Sequence, residues 1–266
     1  MHVLNKKSIF FILFTLGQLS FFQHLTAYTG RHFKYFFTNE KKNIRCTIEY
    51  TLTGKFPFEI KRTYADGHTD FIMLDYPKVK NAKALYKLVS QSKDHLIKYM
   101  PYMVESYSSS EVHAVSEMQS MILRDYVSQD INWFIFYKPS KDSEWRLIGQ
   151  VKDQGYGAYK AQSVDAMYWV GAPEIIQAKG LTSTAIQALF NYVIYIGKAK
   201  YVNLAIEKTN VKSNRIAKEF LLMKLLSAPK YKRWGYRQNV KDMNVYSLSA
   251  SAWKKIHWKD SKIVNR

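Results

Sequence analysis

From residue 69 onward the apolar and polar positions fall into short runs of period two and longer runs of period 3.6. Asp70-Phe-Ile-Met-Leu74 predicts a short strand. Val79 to Ser90 carries Ala82, Leu85, Tyr86 and Val89 at helical spacing and predicts an amphipathic helix; a second long helix is predicted from Ser110 or Glu111 to Val127. Trp133-Phe-Ile-Phe-Tyr137 and Trp145-Arg-Leu-Ile-Gly-Gln-Val151 predict strands on either side of a turn at Pro139 and Ser140. After a loop with Gly155 and Gly157 comes the strand Ala166-Met-Tyr-Trp-Val170. Ile186, Leu189, Phe190, Val193 and Ile194 then share one face of a helix that Gly197 can terminate. Tyr201 to Glu207 alternates, with Val202, Leu204 and Ile206 on one side. Asn210 suits the N-cap of a helix carrying Ile216, Phe220 and Met223, and Asn244 to Trp253 reads as a closing strand. Strands come first and then interleave with helices, which predicts an α+β (mixed α/β) fold around one sheet.

The pattern divides the chain. Residues 1–29 are a hydrophobic leader, 30–66 a basic, aromatic linker or extension without a clear period, 67–253 the main domain, and 254–266 a basic tail. In the leader, Lys6 and Lys7 precede an apolar run, and no charged residue lies between Ser8 and Thr29. Three readings fit it: a secretory signal with a weak cleavage position at Ala27, a membrane anchor across residues 8–29, or a leader read from an upstream start codon. As an anchor it would leave the domain in the cytoplasm, because Arg31, Lys34, Lys41, Lys42 and Arg45 outweigh the two leading lysines. A cytoplasmic location is the expectation, with anchored or secreted forms as its alternatives.

Composition narrows the partners. The 266 residues, 47% hydrophobic and 15% aromatic, can fill a core, which excludes disorder of the whole chain. A formal charge of +19 favours anions, whether nucleic acid, acidic lipid or a polyphosphate cofactor. The single Cys46 excludes an intrachain disulfide framework and a cysteine-rich zinc site, and no metal is expected from the seven histidines.

Candidate chemistry centres on Val170 to Leu189. A strand ends near Gly171, and Gln177-Ala-Lys-Gly180 leads into a first helical turn with Leu181, Thr182 and Ser183. Unpaired amides and the helix dipole suit that turn to an anion, and Gly180 lets backbone approach a phosphate without a Cβ. The stretch is neither a Walker loop nor a dinucleotide fingerprint, and on the residues alone a plain strand-to-helix joint is the commoner explanation.

Order and spacing then add a resemblance. Gln177-Ala-Lys-Gly180-Leu-Thr182 matches Q/R-x-x-G-x-G/A at its first two anchors and departs at the third. Leu85 to Val89 with His95 to Tyr102, Ile148-Gly149, Tyr168-Trp-Val170, Asn210-Val-Lys-Ser213-Asn-Arg-Ile-Ala217, and Asp242 with Tyr246-Ser-Leu248 fall in matching order. Residues 69–250 thereby resemble the Gcn5-related N-acetyltransferase (GNAT) superfamily, in its ribosomal-protein alanine and serine N-acetyltransferase branch of RimJ and RimL type.

The resemblance implies an acyl-CoA N-acyltransferase fold, a central twisted mixed sheet of about six to seven strands flanked by helices, and acetyl-CoA as cosubstrate. It implies that Trp169, Val170 and Gly171 meet the pantetheine arm, that Gln177, Ala178, Lys179, Gly180, Leu181, Thr182 and Ser183 hold the pyrophosphate, and that Asn210 contacts the cofactor. Ser213 becomes the candidate to protonate the departing thiolate; helix capping is the alternative for both Asn210 and Ser213. Tyr99 and Tyr102 are candidates for an acceptor groove, although aromatic residues near helix ends more often enter a core. The acceptor is an amine such as a protein N-terminus. No acidic residue stands in Lys230 to Gln238 and no glycine in Leu221 to Ser227, so the base is unassigned and the C-terminal packing departs from the family. A rival reading is a non-catalytic basic module for ribosome or nucleic acid.

Overall fold

The computed structural model describes residues 30–39, 44–52, 56–128, 131–154, 163–171, 180–221, 223–225, 242–257 and 261–264. The leader lies outside them. Among the described residues no helix is long and apolar enough to cross a membrane.

Among the described residues eleven strands form one sheet: β1 (Gly30–Asn39), β2 (Ile44–Leu52), β3 (Phe58–Tyr64), β4 (Thr69–Asp75), β5 (Asn132–Lys138), β6 (Arg146–Gln154), β7 (Ser163–Val170), β8 (Tyr201–Glu207), β9 (Lys224–Leu225), β10 (Met243–Ser249) and β11 (Ser261–Val264). Their order is β11-β1-β2-β3-β4-β5-β6-β7-β8-β10-β9, and every neighbouring pair is antiparallel except the parallel pair β7–β8. The helices are α1 (Ala82–Gln91), α2 (Lys93–Leu96), α3 (Pro101–Tyr107), α4 (Glu111–Ser128), α5 (Leu181–Asn191), α6 (Val211–Arg215) and α7 (Ala250–His257). Both α5 and α6 run on into π-helical turns, Tyr192–Ile196 and Ile216–Phe220.

Strand alternation sends side chains to two cores. On one face Phe134, Phe136 and Trp169 pack with Leu85, Val89, Met103, Tyr107, Met118 and Met121 of α1, α3 and α4. On the other face Ile135, Val151, Val164 and Val202 pack under Leu181, Ala185, Ile186 and Leu189 of α5.

The sheet is wider than the expected six to seven strands because the segment expected to be a linker or extension, 30–66, contains β1, β2 and β3, and β11 pairs at their outer edge. Phe33, Ile48, Tyr50, Leu52, Phe58 and Ile60 extend the α5-side core. Arg62 interrupts the apolar face, yet it is fully buried because Asp70 on β4 lies opposite: Arg62 Nε donates to Asp70 Oδ1 at 2.7 Å and Nη2 to Oδ2 at 2.5 Å. Tyr64 and Tyr137 hydroxyls also donate to Asp70 Oδ2, at 2.9 and 3.2 Å.

Three more expectations are corrected in the C-terminal part of the chain. The closing strand stops at Ser249 rather than Trp253, because Ser249 Oγ accepts from Ala252 N at 3.2 Å and starts α7. Trp253 is then a buried helical residue whose indole donates to Asn191 Oδ1 at 2.6 Å. The expected basic tail from 254 contains the end of α7 and also β11, which pairs with Gly30 to Phe33. Met223, expected on the helix after Asn210, follows its last turn.

Candidate functional site

β7 and β8 start as a regular parallel pair, with Ser163 opposite Tyr201, Val164 opposite Val202 and Asp165 opposite Asn203. Beyond that row the pairing stops, although both strands continue, to Val170 and Glu207. On its other edge β7 remains paired with β6 through Gly149 and Val170. The edge of Ala166–Val170 that faces β8 therefore lacks strand pairing, and unpaired backbone groups need partners.

A cavity of about 1210 Å³ occupies this gap. Its wall includes Trp169, Val170, Gly171, Gly180, Leu181, Thr182, Ser183, Asn210 and Ser213, so residues separated by forty positions meet at one place. Tyr107, Met121 and Trp169 of one core line it together with Leu181 of the other, so it spans the sheet.

Gly180 stands at the N-cap of α5 in the left-handed region, at φ 68°, a conformation that costs other residues a Cβ clash. Among the described residues no side chain caps that helix, and Ser183 is buried. Leu181, Thr182 and Ser183 of its first turn line the cavity. Gly171 is tightly enclosed: a Cβ there would come within 2.7 Å of both Leu88 Cδ1 and Ser92 Oγ. Gln177, Ala178 and Lys179 lie outside the described residues.

Asn210 is the N-cap of α6, its Oδ1 accepting from Ser213 N at 3.1 Å. Buried Asn214 fixes this turn more firmly. Its Nδ2 donates to the carbonyls of Glu207 and Asn210, both at 2.8 Å, and its Oδ1 accepts from Asn244 Nδ2 and the Tyr246 hydroxyl at 2.8 and 2.7 Å. Tyr168 ties the two sides of the gap together by donating to the Ser213 carbonyl at 3.4 Å. Burial raises the Tyr168 phenol above its ordinary range, so it remains a protonated donor. Replacing Asn210 by alanine is expected to cost about 1 kcal/mol through loss of the cap. Urea unfolding measures it, and an unchanged midpoint contradicts the capping role.

Tyr99 and Tyr102, for which a core position was the commoner expectation, instead border the cavity. Tyr102 is 42% exposed with its hydroxyl 3.1 Å from Met167 Sδ, and the Tyr99 hydroxyl donates to the Thr209 carbonyl at 3.5 Å. The sequence reading passed over His95, Asp165, Glu207, Gln150 and Asn132, all on the same wall. Burial, reinforced by the charge of Lys212, lowers the His95 pKa and keeps that imidazole neutral near pH 7. The only cysteine, Cys46, is not on this wall; burial pushes its thiol up to about 11 despite the opposing charge of Arg62, with Asp70 adding to the rise.

The acetyltransferase (GNAT) domain family matches residues 72–220, more than half of the chain. The chain belongs to this family. Its GNAT domain begins at β4, so β1–β3 precede the matched region. Among solved structures the chain is similar to the microcin self-immunity acetyltransferase MccE in complex with acetyl-CoA and AMP. That match has 23% identity and a TM-score of 0.54 over 67% of this chain and 92% of MccE. It is also similar to RimL, a ribosomal-protein α-N-acetyltransferase, in complex with coenzyme A, at 19% identity and TM-score 0.53 over 68% and 95%. A ribosomal-protein-serine acetyltransferase structure from Vibrio cholerae gives 18%, 0.52, 67% and 93%. These likenesses concern the fold. No curated protein matches the chain.

Proposed function

We propose that this GNAT domain is an acetyl-CoA-dependent N-acetyltransferase that passes an acetyl group to a primary amine, a protein N-terminus or a small amine, by direct attack in a ternary complex. The observation that carries the reading is the parting of β7 from β8 after Asp165 and Asn203, with the N-terminus of α5 at one side of the opening. The acetyl-CoA and coenzyme A bound in MccE and RimL support the choice of cosubstrate.

The residues present fit that molecule. The unpaired edge through Trp169, Val170 and Gly171 can take the amide-bearing pantetheine arm as it would an added strand. Gly180 and the amides of Leu181, Thr182 and Ser183, continued by Gln177, Ala178 and Lys179, suit the pyrophosphate. When bound, acetyl-CoA supplies an activated thioester carbonyl. The acceptor nitrogen would form a C–N bond to it as the C–S bond breaks, and the proton that the nitrogen loses would end on the departing thiolate. Ser213 is the proposed proton donor or hydrogen-bond partner, held in place by the Asn210 cap and by Tyr168. Tyr99 and Tyr102 border the acceptor's approach.

Direct transfer agrees with the state of Cys46, since a buried thiol with pKa about 11 is a poor nucleophile. An α-amine also suits a site whose base is unassigned. With a pKa of roughly 7.7–8.0 it is about a tenth or more deprotonated at neutral pH, whereas a lysine amine near about 10.4 is not. The rate with an α-amine acceptor should therefore rise with pH and level off above that range.

Thermal denaturation tests cosubstrate binding. Acetyl-CoA at about one hundred times its dissociation constant should add about 2.7 kcal/mol and raise Tm. An unchanged Tm, together with salt-sensitive RNA binding, would favour a non-catalytic basic module instead.

A further inference from the structure

Three cations from distant parts of the chain gather on one aromatic residue. Tyr195, 7% exposed, lies in the π-helical turn that ends α5. The guanidinium carbon of Arg31, on β1, stands 4.2 Å from the centroid of its ring, and Lys254 Nζ, on α7, stands 5.6 Å from it. Both lie within reach of a cation–π attraction. Lys198 Nζ donates to the Tyr195 carbonyl at 2.7 Å. Burial lowers the Lys198 pKa, and the positive charges of Lys254 and Arg31 lower it further. Lys200 and Lys255, both exposed, add to the patch, and the Lys200 carbonyl accepts from Ala250 N at 2.8 Å where α7 begins.

Two features set this cluster apart from scattered surface charge. Lys198 has φ 60°, the one positive φ of a non-glycine residue among the described residues. Glycine takes that conformation without a Cβ clash, so the lysine holds its charge there against its backbone preference. Its bond to a carbonyl at the helix end explains Lys198 alone, whereas Arg31 and Lys254 are brought to the same place by the ring. Like charges held together repel, and an anion among them offsets that cost. The second feature is position. Arg31, Lys198 and Lys254 are not on the cavity wall. α5 starts at the cavity and its π-helical turn ends at the cluster, so from Leu181 to Ile196, at about 1.5 Å per residue, the two are roughly 20 Å apart.

We propose that Arg31, Lys198 and Lys254 form a docking surface for the phosphate groups of an anionic phospholipid membrane. Nucleic acid carries the same phosphate chemistry, but the chain favours the lipid. The uncharged run from Ser8 to Thr29 ends two residues before Arg31, and β1 begins at Gly30, so the apolar segment joins the fold beside the cluster. A membrane offers acyl chains to the apolar run and headgroup phosphates to the cations next to it; nucleic acid offers only the phosphates. The cavity, at the other end of α5, stays clear of the headgroups. The proposal does not depend on acetyl transfer.

Flotation of the full chain with a mixture of phosphatidylcholine vesicles and phosphatidylcholine–phosphatidylserine vesicles, separable by density, tests this directly. The apolar run acts on both kinds of vesicle, so the ratio of protein on the two reads the cations alone. The wild type is expected to favour the serine-lipid vesicles, less so as salt is raised. Lys198→Gly and Lys254→Gln should each lower the ratio about 5-fold, and together about 25-fold. Lys198→Gly suits the left-handed backbone, so its Tm should not fall, and a lowered ratio in that variant is not a folding defect. Saturating acetyl-CoA should leave the ratio unchanged, because the cavity is elsewhere. An even wild-type distribution overturns the proposal, as does a preference that survives in the double variant. A preference abolished by acetyl-CoA moves the lipid contact to the cavity and also overturns it. Loss of RNA oligonucleotide binding in the two variants, with no wild-type preference for serine lipid, overturns it in favour of nucleic acid.

Discussion

Gly149→Ala is expected to weaken acetyl-CoA binding by about 100-fold and to destabilise the fold by about 1–3 kcal/mol. Gly149 on β6 faces Val170 on β7, and a Cβ there would lie 2.2 Å from the Trp169 carbonyl oxygen and 2.9 Å from Val170 Cα. Both are backbone atoms, so no side-chain rotation relieves the clash. Either β6–β7 pairing breaks or β7 moves toward the gap that it borders. A shift of about 1 Å in a positioning strand is enough for a loss of this size. Calorimetry with acetyl-CoA and urea unfolding of the same variant separate the two effects. Wild-type affinity in Gly149→Ala would show that the Trp169–Gly171 edge does not carry the cofactor.

Asp70→Ala should cost about 3–5 kcal/mol, the penalty for leaving a buried charge without its partner. Arg62 and Asp70 are 0% and 1% exposed, and Asp70 also accepts from two tyrosine hydroxyls. The pair joins β3 to β4, where the added strands meet the GNAT domain. Replacing both partners by apolar residues of similar volume, Arg62→Met with Asp70→Leu, should recover much of the loss, because no lone charge remains buried. Tm and denaturant midpoints of the two single variants and the double variant complete the cycle. A loss under about 1 kcal/mol for Asp70→Ala would mean that Arg62 reaches solvent.

Local periodicity made the strands β4 to β8 and the helices α1, α4 and α5 legible, because apolar residues recur along their buried faces at the spacing of a strand or a helix. β2 also carried a usable signal: Cys46, Ile48, Tyr50 and Leu52 alternate with Thr47, Glu49 and Thr51. Its basic and aromatic surroundings concealed that alternation, and in β3 the buried Arg62 breaks the expected apolar face. A charge can occupy that position only because of Asp70 on the next strand, a tertiary fact absent from local pattern.

At the candidate site, motif spacing located the β7 edge and the α5 and α6 N-termini. It could not reveal Asn132 and Gln150, whose hydrogen bonds depend on cross-strand register with Trp169. Tyr99 and Tyr102 were likewise ambiguous until their hydroxyls were seen to reach Thr209 and Met167 across the cavity.

The most direct test is transfer of labelled acetyl from acetyl-CoA to a panel of primary amines by the wild type and by Gly180→Trp. The substitution puts a bulky side chain at a left-handed position on the cavity wall where α5 begins. The expected result is label on amine nitrogen with the wild type and loss of nearly all transfer in the variant, with folding verified by circular dichroism. Full activity in a folded Gly180→Trp, or no labelled amine with a wild type that binds acetyl-CoA, would contradict the account.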